Sequence, residues 1–406
     1  MPRWSCAGST HACATGPTLA QVLEAALPLY RQEHVLLPEQ WKVIRAITAC
    51  RTLALGAHCY RCQDCGRLHF VPHSCRNRHC PLCQKRQAAQ WLERQEQALL
   101  PVPYFHLVFT VPHALNPLVR QNRQGLYNLL FTAASQTLLQ FGQQRLGGQI
   151  GLTAVLHTWG QNLNDHYHLH CLVTGGAWNA EQNRWQTSSP HFLFPVRALS
   201  KMFRAKFLQG LENNAQDWQR HGQLSSLREP GAWSKFLHQL ARTAWVVYAK
   251  RPFAGPETVL RYLSRYTHRV AITSARLRRL DLGLGNVSFD YKDYAAQGIH
   301  KEMTLGLPEF LRRFLLHLLP RGFVKIRHFG ILGARGRTQR LATLRRVIPT
   351  PLNCPRSAIP PGFPALALAL SLQSSLELPR CPHCQSIALR LVRILRPGQK
   401  NNLDSS

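Results

Sequence analysis

The sequence predicts an α+β fold, with a central antiparallel sheet flanked by helices behind a smaller N-terminal domain that is helical and rich in cysteine. Two apolar runs with strand character, 152–159 and 168–174, are separated by a short polar loop, which is typical of a hairpin. Segments with helical periodicity lie on both sides, at 118–141 and 196–211. The 406 residues are enough for two to three domains with a substantial core.

The elements along the chain divide it into three parts. The first part, 18–100, begins with two helices in 18–55 and ends with a polar helix that stops before Pro101. The second part, 101–335, opens with the β-rich run YFHLVFTV and holds the central sheet. The third part, 336–406, is a basic, proline-rich tail with one CxxC pair, which predicts a linker or a loosely folded segment.

Shorter elements follow in the second half of the central part. We predict strands at 245–249, 270–273, 287–291, 302–305 and 323–329, with helices at 256–266 and 308–319. Strands interrupted by helices in this irregular order favour α+β over a regularly alternating fold.

The charge of the chain indicates a polyanionic partner. Fifty Lys and Arg face nineteen Asp and Glu, so the formal net charge is +31. Nucleic acid is the first expectation and an anionic membrane surface the second. No run of eighteen apolar residues is present, and the N-terminus has no apolar signal core. We therefore expect a cytosolic, nucleoid-associated protein without a membrane partner.

Four cysteines have the spacing of a zinc site. In a reducing compartment the thirteen cysteines of the chain are thiols or metal ligands. Cys62 and Cys65 form one CxxC pair, and Cys80 and Cys83 form a second pair after fourteen intervening residues. Thiolates in a tetrahedral arrangement select zinc, so this quartet predicts a structural Zn²⁺ and a zinc-ribbon-like N-terminal domain.

Other groups nearby leave the ligand set open. A different quartet or a second ion is possible because spare ligands surround the pairs, and these are Cys59, Cys75, His69, His73 and His79. Cys50 is interpreted as a core residue. The pair Cys381 and Cys384 resembles another knuckle, but Gln385 stands where glycine is expected and Cys354 is the only cysteine near it in the sequence, so a second zinc site there is not predicted.

Two arginines lie between the CxxC pairs. Arg76 and Arg78 belong to the run Arg-Asn-Arg-His, and cations on a rigid loop are suited to contact phosphates. The alternative is a plain solvated loop.

Histidines in the predicted hairpin form a candidate metal site. His168 and His170 alternate along a strand, so both imidazoles project from the same face of the sheet. His157 lies on the preceding strand and could converge with them, while His166 or Gln161 could replace it as third ligand. Three neutral imidazoles would leave open positions on Mg²⁺ or Mn²⁺ for a phosphate oxygen.

Two tyrosines form a candidate nucleophile pair. Tyr262 and Tyr266 are four residues apart in a predicted helix, which places both phenols on one face, with Arg261 and Arg265 beside them. Such pairs are ordinarily core or surface aromatics. A phenol that attacks a phosphodiester needs a metal that polarises the phosphate and a basic channel that holds the strand, and both are predicted here.

Together these segments resemble the IS91-type transposases, a family of HUH endonucleases. The resemblance covers roughly residues 40–335 and rests on the motifs YRCQDCGRLHFVPHSCRNRHCPLCQ, LHTWGQNLNDHYHLHCLVTGG, RYLSRYTHRVAIT, FDYKDY and EFLRRFLLHLLPRGFVKIRHFG. It implies that His168 and His170 are paired metal ligands, with His157 as third ligand. It also implies that Tyr262 and Tyr266 are nucleophiles of the two-tyrosine branch.

The resulting hypothesis is a metal-dependent nickase and strand transferase of single-stranded DNA in rolling-circle transposition. A 5′-phosphotyrosine would form at transposon ends and target, while Lys292 and the arginines near the tyrosines hold the backbone. No P-loop motif is present, so no nucleotide hydrolysis is expected. The alternatives are a plasmid rolling-circle replication initiator or relaxase, and a non-enzymatic zinc-containing DNA-binding regulator.

Overall fold

The structure is a computed structural model, and it describes residues 16–96, 98–250, 267–268, 271–293, 296–349 and 380–397. It is a mixed α+β fold with antiparallel sheets, as predicted. Within the described part of the chain, no helix is both long and apolar enough to cross a membrane.

The helices largely follow the predicted pattern. Their bounds are α1 Leu19–Glu33, α2 Pro38–Thr48, α3 Pro81–Glu96, α4 Asn116–Gln121, α5 Arg123–Leu146, α6 Val196–Asn213, α7 Ala232–Arg242, α8 Leu307–Leu316 and α9 Arg337–Val347. The helix predicted at 118–141 is divided at Asn122, whose side chain donates hydrogen bonds to the carbonyls of Leu118 and Gln219. Those bonds hold Asn122 in a non-helical conformation between α4 and α5.

In the part of the chain that the structure describes, the strands form four antiparallel sheets. Their bounds are β1 Ala57–Cys62, β2 Leu68–Pro72, β3 Tyr104–Thr110, β4 Gly151–Trp159, β5 Asp165–Thr174, β6 Gly176–Asn179, β7 Arg184–Thr187, β8 Val246–Lys250, β9 Leu277–Asp281, β10 Asn286–Asp293, β11 Ile299–Gly306, β12 Ile326–Gly330 and β13 Leu389–Leu395. The strand predicted at 270–273 is wrong for its described part, since 271–273 pair with no described strand. The helix predicted at 256–266 lies outside the described residues.

The main sheet has the order β12-β4-β5-β3-β8 and carries the largest core on one face. Side chains alternate along each strand, so Leu169 and Cys171 of β5 point into this core with Phe109 of β3 and Leu156 of β4. Helices α5 and α6 cover that face. The opposite face carries the histidines.

A second core joins distant parts of the chain. Helices α1 and α2 bury Val22, Leu23 and Ile44 against Phe289 of β10 and Phe310 of α8. The sheet β11-β10-β9 supplies the other wall. The N-terminal helices therefore pack on residues of the second half of the chain as well as on the cysteine segment.

The C-terminal strand belongs to the N-terminal sheet. Strand β13 pairs antiparallel with β1, which pairs with β2, in the order β13-β1-β2. The prediction of a loosely folded tail is thus wrong for Arg337–Val347, which form helix α9 with Leu341 and Leu344 buried, and for 380–397, where backbone pairing with β1 orders the segment. The domain boundaries at 100 and 335 stay predictions.

Candidate metal centres and the histidine face

Strand register brings three histidines together on the open face of the main sheet. His157 of β4 lies directly opposite His168 of β5. His170 follows two residues later and therefore projects from the same face. One ring nitrogen from each of the three histidines lies within 4.8 Å of the others, and all three residues are buried. The predicted convergence of these side chains is what the structure shows.

The geometry of this group fits a cation. The Nε2 atoms of His168 and His170 are 3.1 Å apart. Two imidazoles at right angles on a metal, with metal–nitrogen bonds of about 2.1 Å, place their nitrogens about 3 Å apart. Burial lowers the pKa of His168 to about 3 and holds that of His170 well below its ordinary value. The imidazoles of His168 and His170 are therefore neutral, which is the form that binds metals.

Backbone and side-chain contacts orient the two histidines of β5. His168 Nδ1 donates to the carbonyl of His166 at 2.8 Å, which leaves Nε2 directed at the group. His170 Nδ1 lies 2.9 Å from Nε2 of His106, on the neighbouring strand β3, and the two rings are nearly parallel. This second contact turns Nε2 of His170 toward His168.

His106 is a functional candidate that sequence reasoning missed. It occupies the third position of YFHLVFTV, and its alternation with buried apolar residues places it on the histidine face. That alternation is the signal that could have identified it.

The other candidates for third ligand make different contacts. The carbonyl of His166 accepts the hydrogen bond of His168, and the ring of His166 is not part of the group of three. The backbone carbonyl of Gln161 accepts a hydrogen bond from Arg276, and a ligand role for the Gln161 side chain stays a prediction. Among the described histidines, His157 is the one that joins His168 and His170 in one group.

A buried carboxylate secures the start of β5. Asp165 pairs with Arg120 and accepts a hydrogen bond of 3.0 Å from the hydroxyl of Tyr167. Asn116 donates to the Asp165 carbonyl. Because β5 carries two of the three histidines, these contacts hold the register on which the group depends.

The tyrosine pair lies outside the described residues. The same holds for Arg261 and Arg265, so the roles predicted for these four residues stay predictions. The next described residues, Thr267 and His268, line a cavity together with Trp159, which is two residues from His157.

The cysteines form two groups of four, and the predicted quartet is wrong. Cys62 and Cys65 meet Cys381 and Cys384, with all four Sγ atoms within 4.8 Å of one another. The second group consists of Cys50, Cys75, Cys80 and Cys83. The two CxxC pairs of the prediction thus belong to different groups. The pairing of β1 with β13 brings Cys381 and Cys384 to Cys62 and Cys65, so that these four thiols form one group.

The first group is a pair of matching knuckles. The N–H of Gly66 donates to the carbonyl of Cys62, and the N–H of Gln385 donates to that of Cys381, both at 2.9 Å. Gly66 and Gln385 have positive φ values of 71° and 60°. Gln385 thus takes the position that Gly66 has in the other knuckle, at a cost of about 1–2 kcal/mol for a residue other than glycine, and zinc binding at these four thiols stays a prediction.

The thiols of these knuckles are suited to zinc. The Sγ distances are 3.5 Å for Cys62 and Cys384 and 3.6 Å for Cys65 and Cys381. Four sulfurs at about 2.3 Å from a tetrahedral zinc lie about 3.8 Å apart. The backbone N–H of Cys65 lowers the pKa of Cys62, and that of Cys384 lowers the pKa of Cys381 to about 6.

The second group combines the end of α2 with the start of α3. Sγ of Cys83 lies 3.6 Å from Sγ of Cys50 and 3.6 Å from Sγ of Cys75. A hydrogen bond from Cys75 is the main cause that lowers the pKa of Cys80 to about 5. Cys50, interpreted from the sequence as a core residue, is thus a member of a potential zinc quartet.

The cations predicted to contact DNA have different surroundings. Arg76 is exposed on the loop before α3. Arg78 donates a hydrogen bond of 2.6 Å to the carbonyl of Phe323, so it also joins the cysteine segment to the connection before β12. Lys292 lies on β10 opposite His300. Their contacts with DNA stay predictions.

Comparison with known proteins connects both parts of the chain to transposition. A family model described as "Putative transposase" matches residues 151–340, and one described as "Transposase zinc-binding domain" matches residues 22–111. The chain is 42% identical over 383 residues to "Putative transposase y4qJ" of Sinorhizobium fredii, which covers 93% of the chain and 96% of that protein. It is 29% identical over 305 residues to the "Transposase for insertion sequence element IS801" of Pseudomonas savastanoi pv. phaseolicola, and the match covers 72% of the chain and 70% of that protein. No solved structure matches the chain significantly.

Proposed function

Because this chain belongs to the IS91 family of transposases, we propose that it cuts and joins single-stranded DNA through a phosphotyrosine in rolling-circle transposition. As a transposase it is a DNA-processing enzyme with a zinc-binding domain. The proposal goes beyond family membership in three respects, which are the single-stranded substrate, the tyrosine nucleophile and the catalytic cation.

The convergence of His157, His168 and His170 is the observation that carries the proposal. The three imidazoles lie on one sheet face, with one nitrogen of each within 4.8 Å of the others. Burial keeps the pKa values of His168 and His170 low, and their Nε2 atoms are 3.1 Å apart, as on a shared metal. A bound Mg²⁺ or Mn²⁺ would neutralise charge on the phosphate that is attacked. A purely structural histidine cluster would not require three imidazole nitrogens to point at one position in a buried site.

The protein's own groups would perform the remaining chemistry. The phenol oxygen of Tyr262 or Tyr266 attacks the scissile phosphorus, and the phosphorus–O3′ bond breaks. The phenol loses its proton, the departing O3′ gains one, and the 5′-phosphate stays on the tyrosine. Since one phosphodiester replaces another, the bond energy is conserved and the 3′-hydroxyl can later attack the phosphotyrosine in strand transfer. The second tyrosine can then cut at the other end of the element.

Positive charge would hold the strand during this exchange. The formal net charge of +31 provides affinity for the DNA backbone. We assign backbone contacts to Arg76, Arg78, Arg261, Arg265 and Lys292. The two cysteine quartets would each hold one structural Zn²⁺, which orders the segment that carries Arg76 and Arg78.

A covalent-adduct assay tests the proposal. Full-length protein is incubated with Mn²⁺ and a 5′-end-labelled and a 3′-end-labelled library of single-stranded oligonucleotides, then denatured and separated by electrophoresis. We expect label from the 3′-end-labelled strand to remain on the protein, because the 3′ fragment carries the 5′-phosphate. A matched double-stranded library is the control. Absence of any adduct, or an adduct that persists after both tyrosines are changed to Phe, would contradict the mechanism.

A further inference from the structure

A cavity of about 290 Å³ lies beside the histidine site. Its walls come from distant parts of the chain, with Arg78 and His79 before α3, Trp159 at the end of β4, and Lys325 just before β12. His268, two residues after Tyr266, closes another side. We call this space the Lys325 cavity. Its size is close to the lower end of the range for small-ligand sites, about 300 Å³.

Two cationic side chains lie in the otherwise neutral walls of the Lys325 cavity, because burial lowers the pKa values of its three histidines to about 3 or 4. Arg78, Lys325 and three histidines line it, and none of its described lining residues is acidic. Burial lowers the pKa of Lys325 to about 7, and the nearby charge of Arg78 lowers it further. Two cations that share a partly desolvated space repel each other, and an anion between them would relieve both the repulsion and the loss of hydration.

The position of the Lys325 cavity relates it to the histidine site. Trp159 stacks on His157 with ring centroids 4.9 Å apart and an interplanar angle of 15°. Nζ of Lys325 lies 5.1 Å from the centroid of the Trp159 ring. The Trp159 ring thus contacts both His157 and Lys325, and the charge of Lys325 contributes to the lowered pKa of His170. A strand with one phosphate at that group has its next nucleotides within reach of the cavity.

A structural role for the same residues makes a different prediction. Arg78 donates to the Phe323 carbonyl, so the cations on both sides of the cavity could serve only to join the cysteine segment to the main sheet. In that case their removal would lower stability but would not affect recognition of one particular phosphate. The experiment below separates these two roles.

We propose that the Lys325 cavity binds a phosphate of the single DNA strand, one or two nucleotides from the cut, through Lys325 and Arg78. This inference rests on the proposed function, since it locates the same strand beside the same histidines. The ligand is an internal phosphodiester of single-stranded DNA, and free phosphate and duplex DNA are outcomes that the test distinguishes.

The test is a double-mutant cycle between protein charge and DNA charge. A tight-binding single strand is selected from a random library with the wild-type protein and no added divalent cation. Each phosphate of that strand is then replaced in turn by an uncharged methylphosphonate, and binding is measured by fluorescence anisotropy. For the wild type we expect one position to lose about tenfold in affinity. In Lys325→Met the same replacement should cost little, because the charge that it faced is gone.

Matched variants control the experiment. Arg321→Met removes one positive charge from an exposed residue of the same connection that does not line the cavity, so it should retain the tenfold effect at that phosphate. Lys325→Arg should restore it. If Lys325→Met lowers the melting temperature or the zinc content, Arg78→Gln carries the test and must couple to the same phosphate.

Several outcomes would overturn the inference. One is that Arg321→Met loses the tenfold methylphosphonate effect as fully as Lys325→Met does, and another is that no phosphate couples to Lys325 or Arg78. Coupling seen only with a duplex, or full competition by inorganic phosphate without any dependence on position, would also overturn it. The assay involves no cleavage. Coupling without an adduct in the earlier assay would therefore refute the proposed function and leave only the contact of Lys325 and Arg78 with a strand phosphate. An adduct without coupling would refute the cavity assignment and leave the proposed function intact.

Discussion

At the histidine site, one contact between two ring nitrogens decides which nitrogen of His170 is available to a cation. Nδ1 of His170 is occupied by His106 at 2.9 Å, so Nε2 remains for the group shared with His157 and His168. Partners of this kind commonly fix the tautomer and the ring orientation of a histidine ligand. His106 is therefore a positioning residue and does not itself belong to the ligand group.

The first prediction concerns the ligands. His168→Ala or His170→Ala should abolish adduct formation, since each removes a nitrogen from the group, while single-strand binding stays within about threefold because Lys and Arg carry it. Adduct yield and oligonucleotide affinity are measured in parallel. In His157→Ala, recovery of adduct at high Mn²⁺ would identify His157 as the weakest of the three. Normal cleavage by the His168/His170 double variant would refute the site.

The second prediction concerns His106. His106→Phe keeps a ring of similar size but removes the contact with His170, and we expect Mn²⁺ affinity to fall about 10–100-fold. The measurement is Mn²⁺ binding by calorimetry, which does not depend on activity. His106→Gln can still donate a hydrogen bond to His170 and should recover part of the affinity. Equal affinities for the wild type and His106→Phe would show that the contact is only a packing feature.

At the scale of single elements, the spacing of the tyrosines makes a clear prediction about division of labour. Two phenols four residues apart on a helix lie about 6 Å apart at Cβ, so either could reach one phosphate. Tyr262→Phe and Tyr266→Phe should each still form an adduct with a short strand, and the double variant should form none. Mobility of a complete element, which needs successive cuts, should fail in both single variants.

A simple contrast would exclude the two-tyrosine scheme. If one single variant forms no adduct and the other supports normal mobility, one tyrosine performs all cuts and the second is an ordinary helix aromatic.

The matching knuckles predict the zinc content. Purified protein should contain two Zn²⁺ per chain, because two separate groups of four thiols have zinc-like sulfur distances. Cys384→Ser should lose one zinc and Cys83→Ser should lose the other, as measured by mass spectrometry or a colorimetric chelator. Cys59→Ser is the matched control, since Cys59 is buried in β1 outside both groups. A single zinc that Cys83→Ser loses and Cys384→Ser retains would restore the quartet predicted from the sequence.

At the scale of the whole molecule, the described C-terminal segment completes a sheet and a ligand group at the other end of the chain. Strand β13 pairs with β1, and Cys381 and Cys384 face Cys62 and Cys65. The ion would thus link residues more than 300 positions apart, as the sequence separation of 322 between Cys62 and Cys384 shows. Such a link lowers the entropy of the unfolded chain as a cross-link does.

Removal of this segment is the corresponding test. Deleting 380–406 should release one zinc and lower the melting temperature, because β1 becomes an edge and two thiols lose their partners. The main sheet does not include β13, so Mn²⁺ binding at the histidines should persist. Zinc content, thermal unfolding and Mn²⁺ calorimetry are measured on the same preparation. Retention of both zinc ions would show that Cys381 and Cys384 are not ligands.

Local patterns in the sequence predicted the elements that carry the histidines. Alternation along 168–174 placed His168 and His170 on one face, and the short polar loop before them predicted the hairpin that brings His157 opposite His168. These inferences succeed because side-chain direction in a strand depends only on local backbone geometry.

The partners contributed by distant segments could only be identified from the tertiary structure. The contact of His106 with His170 depends on the pairing of β3 with β5. The grouping of Cys50 with Cys83 depends on the second core, which brings Cys50, just after α2, to the start of α3. The division of the cysteines into two quartets follows from the pairing of β1 with β13. A structural zinc ion of this kind needs four sulfurs close in space. The spacing of cysteines along the chain identifies only the two that lie on the same turn, and it does not identify the pair that completes the site. The sequence by itself therefore determined the knuckles, the hairpin and the chemistry of their side chains, whereas long-range backbone pairing decided which knuckle completes which site.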